Sequence, residues 1–330
     1  MRAVYQALGL TPVVAVELEL YLIDRERSPS GAPLPPVSPG SGKRSRQTQV
    51  YSMADLDDQS ALLAAIAEAS ALQRIPAFTA VAEYAPGQFE VNLQHRPDAL
   101  VACDDAVLIK RLIKALARQH DLDATFTAKP YPAQAGSGLH LHLSLQDGSG
   151  ANVFAGDGEP SDNDALRHAL GGLVTLLPES MALLAPNANS FRRFTPRVYV
   201  ALAPTWGYNN RTVALRIPAG PSHARRIEHR VAGADANPYL VTAAILAGVH
   251  YGLTQRCDPG VAVTGNADEQ REPNLPLTWG EALEAFALSE ILPEYMGSDF
   301  CHVYYQTRAA ERRRFQAVVT ALEYEWYLLA

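Results

Sequence analysis

Hydrophobic and polar positions alternate along the segment from Val13 to Leu22. Aliphatic side chains occupy its even-numbered positions, and Glu17, Glu19 and Tyr21 lie between them. Because successive side chains of a strand point to opposite faces, this pattern predicts a strand with one buried face and one polar face. Similar patterns predict further strands at Phe78–Tyr84, Gln88–Gln94, Leu139–Leu145, Arg211–Ile217 and Arg226–Val231.

Longer segments with helical spacing, many of them rich in alanine and leucine, predict helices. They lie at Asp57–Gln73, Pro97–Gln119, Asn163–Leu184 and Pro238–Leu253, and the tail from Trp279 is mostly helical, ending in an amphipathic run at Arg308–Tyr327. A loop rich in Pro, Gly and Ser covers residues 28–46, and residues 187–204 are irregular. Strands and helices are intermixed without a regular βαβ order, which favours an α+β fold around a mainly antiparallel sheet. We expect one domain, residues 1–330.

The composition restricts the class of protein. Of 330 residues, 48% are hydrophobic and 19% are charged, as in a globular protein, and the net charge of −7 disfavours a dedicated nucleic-acid binder. No apolar run approaches the roughly 18 residues that a membrane helix needs. The three cysteines have neither CxxC nor CxxH spacing, so we expect neither a disulfide framework nor a zinc knuckle. These features predict a cytoplasmic protein without nucleic-acid or membrane partners.

Acidic residues on the polar faces of the predicted strands are the first candidates for chemistry. They are Glu17, Glu19, Glu83, Glu90 and Glu228. Neighbouring carboxylates repel each other unless a cation lies between them, and carboxylates with one or two imidazoles suit Mg²⁺ or Mn²⁺. His140 and His142 supply the imidazoles. Each glutamate alone is better explained as part of a solvated strand face, and it is the combination of several such strands with the two histidines that favours a metal site. A metal hydrolase built on the two histidines is a further alternative.

Arginines in or beside apolar strands form a second group of candidates. They are Arg193, Arg211, Arg216, Arg226 and Arg230. A surface role in solubility is one interpretation, but an unpaired charge within an apolar strand is costly, which favours binding of a carboxylate or phosphate. The glycines of the segment 136–138 could let a phosphate approach the backbone, although the sequence has neither a P-loop nor a GxGxxG motif before a helix.

Eight ordered segments connect these candidates. They are Val16–Glu19, Glu83–Glu90, Lys129–Pro130 leading into Gly136–Ser144, Asn189–Arg193, Trp206–Thr212, Arg216–Pro218, Arg226–Arg230 and Ala236–Leu240. Together they resemble the catalytic domain of the glutamine synthetase family, from about Leu10 to the C-terminus. The resemblance implies the fold of that domain, a curved and mainly antiparallel sheet surrounded by helices.

The resemblance also implies an ATP-dependent ligase that makes γ-glutamyl phosphate from glutamate and then an amide. One Mg²⁺ or Mn²⁺ ion would be bound by Glu19, Glu83 and Glu90, and a second by Glu17, His140 and Glu228. Nucleotide contacts would come from His142, Ser144 and Arg216, and substrate contacts from Arg193, Arg230 and Gly136. Arg211 and Arg216 match arginines that stabilise the phosphoryl group during transfer.

The amine substrate is indicated by a departure from the family pattern. Tyr199 stands where ammonia-using members carry a flap glutamate that helps to bind ammonium. The segments 209–212 and 229–238 are similar to those of the γ-glutamylpolyamine synthetase branch. We therefore expect a primary amine such as putrescine, with ammonia, and hence a glutamine synthetase, as the alternative.

The resemblance implies an N-terminal β-domain that completes the active site of a neighbouring subunit, but few residues precede Glu17, so we expect either that this sequence is part of a longer one or that the protein is a shortened homologue. The resemblance implies a homo-oligomer, and without that domain we expect weaker ring assembly and lower turnover. A truncated, catalytically impaired relative that still binds ATP and metal is therefore a further alternative.

Overall fold

A computed structural model describes residues 1–44, 48–270 and 274–330, without the side chain of Phe78. These residues include one sheet of eight strands. In chain order the strands are β1 (Thr11–Asp24), β2 (Ala77–Ala82), β3 (Gln88–Leu93), β4 (Leu122–Thr125), β5 (Leu139–Gln146), β6 (Trp206–Tyr208), β7 (Leu215–Ile217) and β8 (Ile227–His229).

The long strand β1 lies near the middle of the sheet. The spatial order is β2-β3-β1-β5-β8-β7-β6, and β4 pairs with the end of β1. The described pairings are antiparallel except for that of β6 with β7, which is parallel. The predicted α+β fold with a mainly antiparallel sheet is thus confirmed.

Helices surround the sheet. They are α1 (Arg2–Ala7), α2 (Met53–Asp58), α3 (Ser60–Leu72), α4 (Ala99–Gln119), α5 (Asp164–Leu184), α6 (Pro238–Gln255), α7 (Ala267–Gln270), α8 (Trp279–Ala287), α9 (Leu292–Met296), α10 (Ser298–Gln316) and α11 (Ala321–Tyr327). Short 3-10 turns occur at Pro160–Asp162, Ser190–Arg193 and Ser222–Ala224. No helix in the described ranges is both long enough and apolar enough to cross a bilayer.

The aliphatic face of β1 packs against α4 and forms the centre of the core. Val14, Val16 and Leu18 are fully buried there, as are Ile109 and Ile113 of the helix. Burying this face stabilises the sheet, since each aliphatic side chain contributes about 1.5–3 kcal/mol when it leaves water. It also turns the polar face of β1 in the opposite direction, where the candidate site lies.

Helices α5 and α6 approach each other through glycines. A Cβ atom on Gly172 would lie 2.1 Å from the carbonyl oxygen of Gly248, and one on Gly252 would lie 2.0 Å from that of His168. The two backbones are therefore in direct contact, and this pair of helices closes the core behind β8.

Several predicted boundaries were wrong. The strand expected at Arg211–Ile217 is shorter in the structure and consists only of β7. The strand expected at Arg226–Val231 is likewise shorter and consists only of β8. The helix expected at Asp57–Gln73 is divided into α2 and α3 at Gln59, whose φ of −107° and ψ of 12° depart from helical geometry. The first of these helices begins before Asp57, because the Ser52 hydroxyl caps it by accepting a hydrogen bond from the backbone of Asp55.

The predicted C-terminal run and the long loop were also only partly correct. The run at Arg308–Tyr327 is interrupted before Thr320, which caps α11 together with Glu323. Strands β4 and β6 were not predicted. The loop over residues 28–44 contains isolated bridges, and residues 45–46 of that prediction lie outside the described residues.

Candidate active site

The polar faces of β1, β3 and β5 lie side by side and carry most of the acidic candidates. Glu17 is paired with His140 on one side and with Asn92 on the other, and Glu19 is paired with Glu90. Directly paired residues of neighbouring strands project to the same face of the sheet. The strand register therefore brings these five side chains together.

A second row of paired residues extends this face onto β8 and β7. His142 is paired with Glu228, and Glu228 is paired with Arg216. The candidate metal ligands and one of the candidate phosphate-binding arginines thus share a single polar face.

Glu17 lies between the two imidazoles. Its Oε1 is 2.6 Å from His140 Nδ1, and its Oε2 is 3.2 Å from His142 Nε2. Arg226 Nε donates to His142 Nδ1 at 3.2 Å, so the ring proton of neutral His142 is on Nε2 and points to Glu17. Burial alone would raise the pKa of Glu17, but the hydrogen bonds with both imidazoles hold that pKa well below its usual value. Glu17 is therefore ionised.

Two other carboxyls on the face have raised pKa values. Burial, followed by the charges of Glu19 and Glu17, raises the pKa of Glu83 to about 7. Burial and the neighbouring Glu17 raise the pKa of Glu90 to about 10, although Asn92 Nδ2 donates to Glu90 Oε1 at 2.9 Å. Crowded carboxyls take up protons when no cation balances their charge. A divalent cation would remove this repulsion, so the arrangement suits one.

Glu228 is the centre of a buried ion triad. It is 1% exposed, Arg216 Nη1 lies 2.7 Å from its Oε2, and Arg230 Nη1 donates to its Oε1. Burial opposes ionisation, but Arg230 and the imidazoles of His140 and His142 lower the pKa of Glu228. Since Oε1 is also 3.9 Å from His140 Nδ1, the triad adjoins the acidic cluster.

Among the residues that the structure describes, two sets of donor atoms are close enough together to hold a metal ion. One consists of Glu17, His142 and Glu228, and the other of Glu17, Glu90 and His140, with all donors of a set within 4.8 Å of one another. These oxygen and imidazole donors, without a thiolate, fit Mg²⁺ or Mn²⁺. This grouping differs from the one that the family resemblance implies. The resemblance places Glu90 with Glu19 and Glu83, whereas the structure places Glu90 with Glu17 and His140.

Those two other glutamates lie beside the sets. Glu19 Oε2 accepts a hydrogen bond from the backbone of Gly138 at 2.6 Å, and its Oε1 is 3.9 Å from His140 Nε2. Glu83 follows β2 directly, and its backbone N–H donates to the carbonyl of Gln88 at 2.8 Å. All six expected ligands are therefore on or next to one face, but not in two tight groups of three.

A cleft of about 750 Å³ opens beside His142 and is lined by two of the three expected nucleotide contacts, His142 and Ser144, whereas the third, Arg216, does not line it. Ser144 and Arg226 line it with His142. Asn152 donates to two carbonyls of the loop at 222–226 and so holds the backbone that leads to Arg226. The sequence predicted Arg226 as an anion-binding arginine on the same face as Glu228, two residues later, but it did not predict a nucleotide contact for Arg226.

Arg193 is buried at the end of the Ser190–Arg193 turn. Its Nη1 donates to the carbonyl of Val231 at 3.1 Å, and its Nε has no hydrogen-bond partner among the described residues. A Cβ on Gly136 would lie 2.5 Å from Arg193 Cγ, and one on Gly138 would lie 3.0 Å from Arg193 Nη2. Gly136, expected to contact substrate, thus leaves room for this arginine. A buried guanidinium with unused donors suits an anionic ligand.

Arg211 is not part of the ion triad. It is exposed and, with Tyr199 and Asn209, lines a second cleft of about 770 Å³. Asn209 accepts a hydrogen bond from Arg216 Nη2 at 2.8 Å, and the charge of Arg211 acts to lower the pKa of Glu83. This cleft therefore meets the acidic face at its edge.

Sequence comparison relates the chain to amide-forming ligases of glutamate. A family described as "Glutamine synthetase, catalytic domain" matches residues 1–327. The chain is 50% identical over 320 residues to γ-glutamylputrescine synthetase of Escherichia coli (strain K12), with 97% of this chain and 68% of that protein covered. It is 36% identical over 251 residues to glutamate–isopropylamine ligase of a Pseudomonas species, with 74% and 54% covered.

Another relative is similar to the chain in sequence, and a solved structure is similar to it in fold. γ-Glutamylethanolamide synthetase of Streptomyces coelicolor (strain ATCC BAA-471 / A3(2) / M145) is 35% identical over 245 residues, with 74% of this chain and 52% of that protein covered. The structure of GmaS without ligand superimposes with a TM-score of 0.87 at 29% identity, and covers 100% of this chain and 74% of its own. The chain thus spans about half to three quarters of the length of these proteins.

Proposed function

Because this chain belongs to the glutamine synthetase family, we propose that it is an ATP-dependent ligase that joins glutamate to a primary amine. The observation that carries the proposal is the single polar face on which Glu17, Glu90, Glu228 and two imidazoles meet. The buried Arg193 and the cleft beside His142 supply the anion-binding groups that glutamate and ATP require. The named activities of three relatives agree with such a reaction.

Two divalent ions, Mg²⁺ or Mn²⁺, are part of the proposal. Their ligands would be Glu17, Glu19, Glu83, Glu90, His140 and Glu228. When bound, such ions neutralise phosphate charge and make the γ-phosphorus of ATP more electrophilic. The raised pKa values of Glu83 and Glu90 support this assignment, because burial and then the charges of neighbouring glutamates disfavour the ionised carboxylates, and a bound cation would offset both effects.

The other residues bind and orient the reactants. Arg193 would bind the α-carboxylate of glutamate, while His142, Ser144 and Arg226 would bind the nucleotide. A γ-carboxylate oxygen then attacks the γ-phosphorus, and ADP leaves. The amine nitrogen attacks the resulting acyl carbon and loses a proton as phosphate leaves.

Three arginines stabilise the phosphoryl charge in this proposal. Arg216 and Arg230 are held in place by Glu228, and Arg211 approaches from the edge of the second cleft. Preorganised donors of this kind contribute most when they face charge that develops during the reaction. Gly136 contributes by leaving room for Arg193.

A primary amine rather than ammonia is the proposed acceptor. Tyr199 supplies no negative charge to attract ammonium, and it is exposed in a cleft large enough for an organic amine. Putrescine is the leading candidate because the relative that acts on it shares half of the aligned residues.

The test is phosphate release from ATP with glutamate and each of four amines: putrescine, ethanolamine, isopropylamine and ammonium. We expect the highest kcat/KM with an organic amine, and mass spectrometry should identify the γ-glutamyl amide. Arg193→Ala should abolish glutamate-dependent release, whereas Arg192→Ala, at the exposed neighbouring position, should retain it. A higher kcat/KM with ammonium would make the protein a glutamine synthetase, and release without an amide would contradict a ligase.

The proposal also includes a cytoplasmic homo-oligomer. The C-terminal helix α11 leaves Leu322 and Trp326 exposed, Leu329 is exposed just after it, and exposed apolar surface of this kind is typical of interaction sites. Light scattering should show a species larger than one chain, and a monomer at micromolar concentration would contradict this part.

A further inference from the structure

Asp235 is an acidic residue behind Arg193 that the proposed reaction does not use. Its Oδ2 accepts hydrogen bonds from Asn187 Nδ2 at 2.8 Å and from Ser190 Oγ at 2.7 Å. Ser190 is the first residue of the 3-10 turn that ends at Arg193, and Asn187 lies just before that turn, where its carbonyl accepts from the backbone of Ser190. Asp235 therefore holds the turn from which the arginine projects.

The second oxygen of Asp235 borders the same small space as the arginine. Oδ1 is buried and has no hydrogen-bond partner in the described part of the chain. A Cβ on Gly233 would be 2.4 Å from this oxygen and 3.6 Å from Arg193 Nη1, so both groups border the same small space. Burial lowers the pKa of Arg193, and the charges of Glu19 and Asp235 act in the opposite direction.

Asp235 is itself fixed from the other side by α4. Lys110 Nζ donates to the carbonyls of Ala234 and Ala236, the residues on either side of Asp235. The ammonium also lies over the ring of Phe126, 5.4 Å from its centroid. A continuous set of contacts thus connects α4 with the backbone at Asp235 and then with the turn that carries the arginine.

We propose that Asp235 is a positioning residue that orients Arg193 for the α-carboxylate of the amino-acid substrate. It acts in two ways: its Oδ2 immobilises the turn, and its charge balances a guanidinium that is otherwise buried with donors unused. Its effect should therefore be on the affinity for glutamate and not on that for ATP, which is proposed to bind beside His142 on β5. This inference rests on the proposed function.

Substitution of Asp235 tests the proposal by comparing two substrates. In Asp235→Ala we expect KM for glutamate to rise about tenfold or more, the scale of a lost hydrogen bond to a charged group, with KM for ATP changed less than about twofold. Asp235→Asn keeps an oxygen acceptor for Ser190 but loses the charge, so its effect should be intermediate. Calorimetric titration with glutamate should show the same order of affinities without requiring turnover.

Two comparisons separate positioning from a general loss of structure. Asp147→Ala removes a carboxylate that also holds a turn, by accepting from Ser149, but in an exposed loop, and it should leave both KM values unchanged. 4-Aminobutyrate has the reacting carboxylate of glutamate but lacks the α-carboxylate. The preference for glutamate over this analogue, measured calorimetrically as a ratio of affinities, should fall in Asp235→Ala, and adding Asp235→Ala to Arg193→Ala should lower it no further.

The proposal is overturned if Asp235→Asn, folded as judged by its thermal transition, keeps wild-type affinity for glutamate. It is equally overturned if the affinities for glutamate and ATP fall in parallel. Failure of the proposed function looks different: wild-type protein would bind glutamate but form no γ-glutamyl product, and the calorimetric comparison would still decide the role of Asp235. Wild-type protein that does not bind glutamate would refute both.

Discussion

Replacing Glu228 with alanine would leave two guanidiniums without the carboxylate that they share. The side chains of Arg230 and Arg216 are 8% and 14% exposed, so neither can be fully hydrated in the folded protein. Arg216 also donates to Asn209, whereas within the described residues Arg230 has Glu228 as its only hydrogen-bonded side chain. The perturbation therefore falls mainly on Arg230.

The expected loss of stability follows from this burial. Removal of one partner of a buried ion pair costs about 3–5 kcal/mol, because the remaining charge is left uncompensated. Arg216→Ala should cost less, about 1–2 kcal/mol, because Glu228 keeps Arg230 as a partner. For a chain of 330 residues the unfolding entropy is about 0.7 kcal/mol per K, so Glu228→Ala should lower Tm by about 6 °C.

Differential scanning calorimetry with a chelator present measures these values without a contribution from bound metal. In the double variant Glu228→Ala/Arg216→Ala, the loss of unfolding free energy should be at least about 1 kcal/mol smaller than the sum of the losses in the two single variants, since the two groups interact directly. Glu311→Ala is the control, because it breaks a surface ion pair in which the side chain of Glu311 is 48% exposed and that of Arg308 is 31% exposed. It should lower the free energy of unfolding by no more than about 0.5 kcal/mol. If Glu228→Ala were as mild as Glu311→Ala, the described triad would not be a buried, interacting unit.

Three further predictions concern packing, amine choice and metal binding. Gly172→Ala places a Cβ 2.1 Å from the carbonyl oxygen of Gly248 and should lower the free energy of unfolding by about 2 kcal/mol, even after a helix-propensity gain of about 1 kcal/mol. The control Gly220→Ala, with open space around the new Cβ, should change the free energy of unfolding by less than about 0.5 kcal/mol. Equal Tm values for the two variants would contradict the close contact between the helices. Tyr199→Glu should shift kcat/KM toward ammonium in the phosphate-release assay, and an unchanged amine preference would exclude Tyr199 from amine selection. Calorimetry with Mn²⁺ should show two bound ions in the wild type and one in Glu90→Ala, and an unaltered stoichiometry would argue against Glu90 as a ligand.

Elements with a strong local pattern were predicted well from the sequence. The alternation at Val13–Leu22 became β1, which extends it by two residues at each end. The helix expected at Pro97–Gln119 became α4, starting two residues later because the Asp98 side chain caps it. In both cases one face is buried along the whole element, so apolar residues recur with the period of a strand or of a helix, and this period is visible in the sequence.

Elements that depend on their neighbours were missed or misjudged. Strand β4 has four half-buried residues and exists because it pairs with the end of β1. Strand β6, the segment Trp206–Tyr208, is held by parallel pairing with β7. Short strands of this kind have too few residues to show a period, so the sequence contained little signal for them.

For the candidate site, the sequence alone determined the chemical types of the donors and the face of each strand on which they lie. Alternation is a local property, so Glu17 and Glu19 had to share a face once β1 formed. The family motifs then identified a catalytic domain of the glutamine synthetase type, in agreement with the match over residues 1–327.

Which donors meet, and how they ionise, depends on contacts between distant parts of the chain. The strand register places Glu17 beside His140, and it brings Glu90 into the same set of donors as these two residues. The pKa of one glutamate is therefore held low by imidazoles, while that of the other is raised to about 10 by burial and by the first glutamate's charge. The support of Arg193 by Asp235 likewise spans residues far apart in the chain. Distances and desolvation arise from long-range packing, which local residue patterns do not encode.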